Sequence, residues 1–270
     1  YLALWLALIP GLGGAGEQPV APADPDSGAG ACRPALVARQ RYGFVASSAG
    51  WPQTFDVARL RAGWAADLTR GAPVPGMDRA IVLRTPYNYR VDPAQLGPVV
   101  DANPGAIWLV SNEPDCISQD SLPPAEYARV YHDVYQFLKG RDASARVASG
   151  GIVQPSPVRL QYLDLVLAAY RARYGHELPA DLWHTHNAIL NEVSCAHDPG
   201  NCWGAQIPPG VDAVVGVRRD IEDNDDLDIF KAQIWAFRQW MADRGYGGLP
   251  LVVSEFGVLM PAEYGFDPPR

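Results

Sequence analysis

Apolar residues along this chain fall into short continuous runs, and between the runs they recur at helical spacing. Seven runs read as strands: Tyr42–Ala46, Trp64–Leu68, Ala80–Arg84, Ala106–Val110, Arg146–Val153, Leu182–His186 and Leu251–Ser254. The fifth is interrupted by Gly150 and Gly151. Runs without polar alternation indicate a parallel sheet covered on both faces. Three helices are predicted between them. Pro123–Lys139 carries Tyr127, Val130, Tyr131, Val134 and Phe137 on one face, with Pro124 near its start and Gly140 after its end. Val158–Tyr174 opens at Ser156 or Pro157 and stops at Gly175, and Leu227–Arg244 follows an Asp-rich stretch and stops at Gly245. Repeated strand–helix units predict an α/β fold, a (β/α)8 barrel whose eighth unit would lie beyond Arg270. The rival is an open doubly wound sheet, but no Gly-x-Gly-x-x-Gly follows the first strand.

The N-terminal stretch departs from this pattern. Leu2–Ile9 is a short apolar run closed by Pro10 and Gly11, too short to span a bilayer and similar to the end of a signal-peptide core. A buried strand or helix is the alternative. Residues 11–31 are rich in Gly, Ala, Pro and Asp without periodicity and read as a linker. The expected organisation is therefore a leader-like segment and linker over 1–31 and a barrel over 32–270, in an exported chain acting as a monomer.

Composition narrows the partners. Of 270 residues, 48% are apolar, enough for a sizeable core, and the formal charge is −8. With a pI near 5.1 and no basic stripe, nucleic acid is excluded as a partner, and a neutral or cationic ligand fits better than a polyanion. Cys195 and Cys202 flank an Asp-Pro-Gly-Asn turn and are spaced for a small disulfide loop, and Cys32 with Cys116 is a conceivable second bridge. No Cys-x-x-Cys or His-x-x-x-His pair signals structural zinc, and neither a cofactor nor a metal is expected. The acidic run Glu222–Asp228 lacks the glycine and terminal glutamate of an EF-hand loop and reads as a solvated helix start.

Two motifs carry chemistry. Ser111-Asn112-Glu113-Pro114-Asp115 follows the fourth strand, and Ser254-Glu255-Phe256-Gly257 ends the seventh. Each puts a glutamate at the carboxyl end of a parallel strand, the face where barrel enzymes hold their active sites. Cleavage of a glycosidic bond needs one protonated carboxyl and one ionised one, kept apart by their environments. Either glutamate alone also suits a helix cap or a rim ion pair.

Asn-Glu-Pro after strand four with Ser-Glu-Phe-Gly after strand seven resembles the retaining glycoside hydrolases of clan A, over residues 41–261. Within the clan, Asn-Glu-Pro-Asp is similar to Asl1-like glycosyl hydrolases. The resemblance implies a TIM barrel with Glu113 as acid/base, Glu255 as nucleophile and Asn112 on the sugar 2-hydroxyl, acting on a β-linked poly- or oligosaccharide. The runner-up is a carbohydrate-binding barrel without catalysis, because Asn187 and Ala188 stand where relatives carry an aromatic partner of the nucleophile.

Further candidates surround the pair. Arg84 ends the third strand and is a candidate to hold Glu255 ionised. His184 and His186 lie two apart on one strand face, with His186 a candidate for part of the missing aromatic's role. His-x-His is also a metal pattern, though no third ligand is evident and metal is not expected. Trp64, Tyr87, Tyr89, Trp183 and Trp203 are candidate sugar platforms, Trp183 being placed for the core and Trp203 in the cysteine-flanked loop. Asp67 suits either a remote sugar contact or a cap.

Overall fold

The computed structural model describes residues 4–6, 41–46, 59, 61–67 and 76–258. Seven parallel strands, β2 (Tyr42–Ala46), β3 (Trp64–Asp67), β4 (Asp78–Leu83), β5 (Ile107–Val110), β6 (Arg146–Ile152), β7 (Leu182–His186) and β8 (Leu251–Glu255), pair in sequence order. A three-residue strand, β1 (Leu4–Leu6), pairs antiparallel with both β2 and β8 and completes the ring. The predicted (β/α) barrel is formed, without an eighth strand–helix unit among the described residues. Leu68, Cys32, the linker and residues 259–270 lie outside the described residues.

Four helices cover the strands: α1 (Pro93–Asp101), α2 (Pro124–Arg141), α3 (Pro157–Tyr174) and α4 (Leu227–Asp243). Their starts obey local chemistry. Pro124 and Pro157 sit in first turns, and Asp226 accepts hydrogen bonds from the N–H groups of Asp228 and Ile229. Gly175 closes α3 in the left-handed region at φ 76°. Helix α1 is absent from the sequence reading because Gly97 and Pro98 interrupt its nine residues. Gly140 does not stop α2, which continues to Arg141.

The strands alternate between two apolar layers. Ala80, Val82, Ile107, Leu109, Ala148, Leu182 and Val252 fill the barrel interior with Phe44 and Trp64. Ile81, Leu83, Trp108, Val110, Val147, Trp183, Leu251 and Val253 face the helices. Trp64 is thus an interior core residue and not a sugar platform. Its ring lies where a Cβ on Gly43 would come within 2.1 Å, so the glycine is what admits it. Trp183 belongs to the outer layer, with Phe237, Trp240 and Tyr246 against its ring. Asp67 is buried in an ion pair 2.8 Å from Arg79, which takes it out of sugar contact.

Strict alternation fails at two places, both beside the barrel mouth. The β6–β7 register shifts between Gly150 and Ile152, and the β7–β8 register shifts so that Glu255 pairs with His186. Bulges of this kind re-aim side chains. The first needs both glycines: φ is +115° at Gly150 and +68° at Gly151, and a Cβ on Gly150 would meet the His184 carbonyl at 2.2 Å.

Candidate active site

Glu113 leaves the end of β5 on a tight turn in which Ser111 and Glu113 both have positive φ, 68° and 48°. For residues with a Cβ this backbone is strained, and surrounding bonds must impose it. Glu113 N–H donates to the Gly151 carbonyl at 2.9 Å, and Cys116 N–H donates to the Glu113 carbonyl at 3.0 Å. The buried Asp120 carboxylate accepts from the N–H groups of Thr85 and Asn112 and from Arg84 Nε at 2.6 Å.

Glu255 reaches the mouth by the other route. With Val252 inside and Val253 outside, continued alternation would point Glu255 toward the helices. The β7–β8 irregularity turns it inward, and Asn187 N–H donates to its carbonyl at 2.7 Å.

His186 stands between the two carboxylates. Its Nδ1 is 2.8 Å from Glu113 Oε1 and 3.7 Å from Glu255 Oε2, and each of the three side chains places a donor atom within 4.8 Å of the others. The Glu113 side chain is 16% exposed and the Glu255 side chain 38%, so the pair opens toward solvent on the Glu255 side. Burial pushes the Glu113 carboxyl up. The His186 hydrogen bond and charge, with Arg159 and Arg84 beyond, outweigh it and hold the carboxyl below its ordinary range. Burial pulls the His186 imidazole down, but the Glu255 charge and the bond to Glu113 outweigh that and raise it. Both shifts favour the imidazolium–carboxylate form of the pair.

The remaining candidates sort by position. His184 is on the same strand face as His186, but it sits deeper, its Nδ1 3.3 Å from Ser254 Oγ. Burial, then the neighbouring His186, depresses it to about 3, so it is neutral. It does not reach the carboxylates. Arg84 pairs with Asp120 rather than Glu255, because the turn after β5 brings Asp120 under it. Asn112 is buried at the mouth, its amide 3.4 Å from Gln119 Oε1. Tyr87 is 60% exposed on the loop after β4, free to meet a ligand, whereas Tyr89 packs on the outer core. Trp203 is half-buried against a small cluster of Cys116, Val153, Leu190 and Ala205. Cys195 and Cys202 form the expected disulfide. Cys116 is a buried thiol in no disulfide among the described residues, and its pairing with Cys32 lies outside them.

Sequence reasoning missed a buried hub beneath the site. Arg159 of α3 uses all five of its N–H donors: Nε to Glu192 at 2.7 Å, Nη1 to the Asp115 carbonyl and carboxylate, and Nη2 to the carbonyls of Ala205 and Gln206. It ties the loop after β5 to the long loop after β7. Two carboxylates hold the guanidinium charged, while burial pushes the Asp115 carboxyl up against that pull. Asp115 closes the motif that begins at Ser111, but Arg159 lies on a helix and Glu192 in a loop, with no spacing to connect them.

Fold and site together define a class: a (β/α) barrel with two glutamates and one histidine converging at the carboxyl ends of β5, β7 and β8. The chain matches no protein-family model and no curated protein. The solved structures similar to it include glycoside hydrolases at low identity. A GH128 subgroup III curdlan-specific exo-β-1,3-glucanase from Blastomyces gilchristii, in complex with glucose, is 17% identical with a TM-score of 0.45, over 70% of this chain and 65% of that one. A GH128 subgroup I endo-β-1,3-glucanase from Amycolatopsis mediterranei, in complex with laminaritriose, is 16% identical with a TM-score of 0.41, over 57% and 59%. A monomeric β-xylosidase from Caulobacter crescentus CB15 is 15% identical with a TM-score of 0.43, over 74% and 47%. The chain thus spans less than two thirds of the length of each.

Proposed function

We propose that this chain is a retaining glycosidase that cleaves β-linked poly- or oligosaccharides, with Glu255 as nucleophile and Glu113 as acid/base. One observation carries the reading: a carboxylate oxygen of Glu113 and one of Glu255 lie within 4.8 Å of each other at the carboxyl-end mouth of the barrel. Double displacement uses carboxyl groups about 5–5.5 Å apart, whereas inversion needs about 6.5–9.5 Å to admit a water.

His186 supplies the proton logic. As Glu255 attacks the anomeric carbon, the glycosidic C–O bond breaks, the glycosyl ester forms and Glu255 loses its charge in the same step. As that charge is lost, the imidazolium loses the electrostatic partner that raised its pKa, and its Nδ1 proton passes through Glu113 Oε1, 2.8 Å away, while the bond breaks. Glu113 delivers that proton to the leaving oxygen. In the second step Glu113 takes a proton from water, which hydrolyses the ester; the charge on Glu255 returns and draws that proton back to His186 Nδ1, restoring the starting pair. His186 thereby takes the position beside the nucleophile that an aromatic residue would otherwise fill. The disulfide supports action outside the cytoplasm. No helix among the described residues is long and apolar enough to cross a membrane.

The test is kinetic and stereochemical. A panel of β-linked glycans, β-1,3-glucan among them, and activated aryl glycosides are offered to the chain, Glu113→Gln and Glu255→Gln. Turnover with retained anomeric configuration is expected in the wild type, with losses of about 10²-fold or more in each variant. Azide restores Glu255→Gln with inverted product. Variants as active as wild type, or an inverted wild-type product, refute the assignment. Oligosaccharide binding without turnover would select the non-catalytic sugar-binding barrel.

A further inference from the structure

We propose that a zinc-type divalent cation binds across Glu113, His186 and Glu255 and closes the site to its substrate. Several donors share one ion when a single point lies within bonding distance of all of them. His186 Nδ1 is 2.8 Å from Glu113 Oε1 and 3.7 Å from Glu255 Oε2, and donor atoms of the three side chains lie within 4.8 Å of one another. With the third separation at that 4.8 Å limit, the three atoms have a common centre about 2.4 Å from each, against about 2.0–2.2 Å for zinc on imidazole and carboxylate. Closing that gap takes a shift of about 0.3 Å per donor. Glu255, the most exposed of the three, can supply most of it. Among the described residues no other group of three His, Cys, Asp or Glu side chains is so placed.

The donor set selects the ion. One imidazole nitrogen with two carboxylate oxygens suits zinc, copper or nickel, whereas magnesium and calcium favour all-oxygen shells. The backbone presets the geometry, since His186 pairs with Glu255 across β7–β8 and Glu113 is tied to Gly151. A fourth position is left for water on the exposed side, as in other three-ligand zinc sites. The exchange balances: the proton that Nδ1 carries in its hydrogen bond to Glu113 leaves to solvent, and the ion takes the lone pair so freed.

Occupancy engages both carboxylates, so Glu255 cannot attack and Glu113 cannot accept the proton. The ion therefore competes with a glycan. This inhibition rests on the glycosidase reading; the binding itself does not.

The experiment titrates zinc chloride into chelator-stripped protein by calorimetry, with magnesium chloride as the comparison, and repeats hydrolysis assays with and without zinc. One zinc per chain is expected, at least tenfold weaker in His186→Gln, with magnesium failing to compete. In the assay zinc raises KM, leaves kcat unchanged, and is reversed by chelator. No binding below millimolar zinc, or equal affinity in His186→Gln, overturns the proposal. If circular dichroism shows that His186→Gln does not fold, Glu255→Gln serves in its place. Zinc binding without glycan turnover would refute the glycosidase and leave the ion site standing. Turnover without zinc binding would do the reverse.

Discussion

Replacing Arg159 by methionine removes the charge at the centre of the buried hub and leaves its two carboxylates behind. Arg159, Asp115 and Glu192 have side chains 0% exposed. The carboxylates are not left equally. Glu192 keeps donors from Gln154 Nε2 at 2.9 Å, Ser156 Oγ at 2.6 Å and Val217 N–H at 3.0 Å. Asp115 keeps only backbone donors, among them the Val153 N–H at 3.2 and 3.4 Å from its two oxygens. Breaking one partner of a buried pair costs about 3–5 kcal/mol. For a domain of this size that lowers Tm by roughly 6–20 °C. The deficit is read by urea denaturation at several pH values. In the variant, burial raises the Asp115 carboxyl without the guanidinium to oppose it, so the folded state binds more protons than the unfolded one. Stability then falls as pH rises and recovers toward acid. Adding Asp115→Asn should restore part of the loss, because a neutral amide carries no buried charge. A loss under about 1 kcal/mol, or one independent of pH between 4 and 8, would refute the account of a charged, fully satisfied hub.

The Glu113–His186 pair makes stability depend on pH from both sides. Glu113, held low, contributes above its unfolded value of 4.5 and loses that contribution as pH falls through its folded value. His186, held high, contributes below its unfolded 6.5 and loses that as pH rises through its folded value. In His186→Gln both limbs should flatten in a pH–Tm series, and the Glu113 carboxyl should titrate higher by NMR; an unchanged carboxyl would refute the pairing. Gly151→Ala would place a Cβ 2.7 Å from His184 Cε1 at φ +68°, so we expect about 1–3 kcal/mol of destabilisation and a lower kcat, read by denaturation and turnover. Reducing the Cys195–Cys202 disulfide, whose partners are seven residues apart, should cost about 2 kcal/mol by loop-closure entropy and loosen the loop bearing Trp203, which proteolysis would reveal.

The sequence by itself determined the strands, because apolar runs such as Leu182–His186 and Leu251–Ser254 must be buried on both faces wherever they lie. It also placed Glu113 and Glu255 at strand ends, since chain order alone sets those positions. Proline and glycine signals fixed helix starts and the stop at Gly175, which are local steric matters. What only the tertiary structure decided is which way these side chains face and what meets them. Glu255 by alternation points outward, and the register shift against His186 brings it in. Arg84 finds Asp120 instead of Glu255, and Trp64 lies in the interior because Gly43 leaves room for its ring. The hub joins positions 115, 159 and 192, which chain spacing does not connect. Pairings of this kind depend on strand register and loop path, long-range properties that local hydrophobic patterning does not encode.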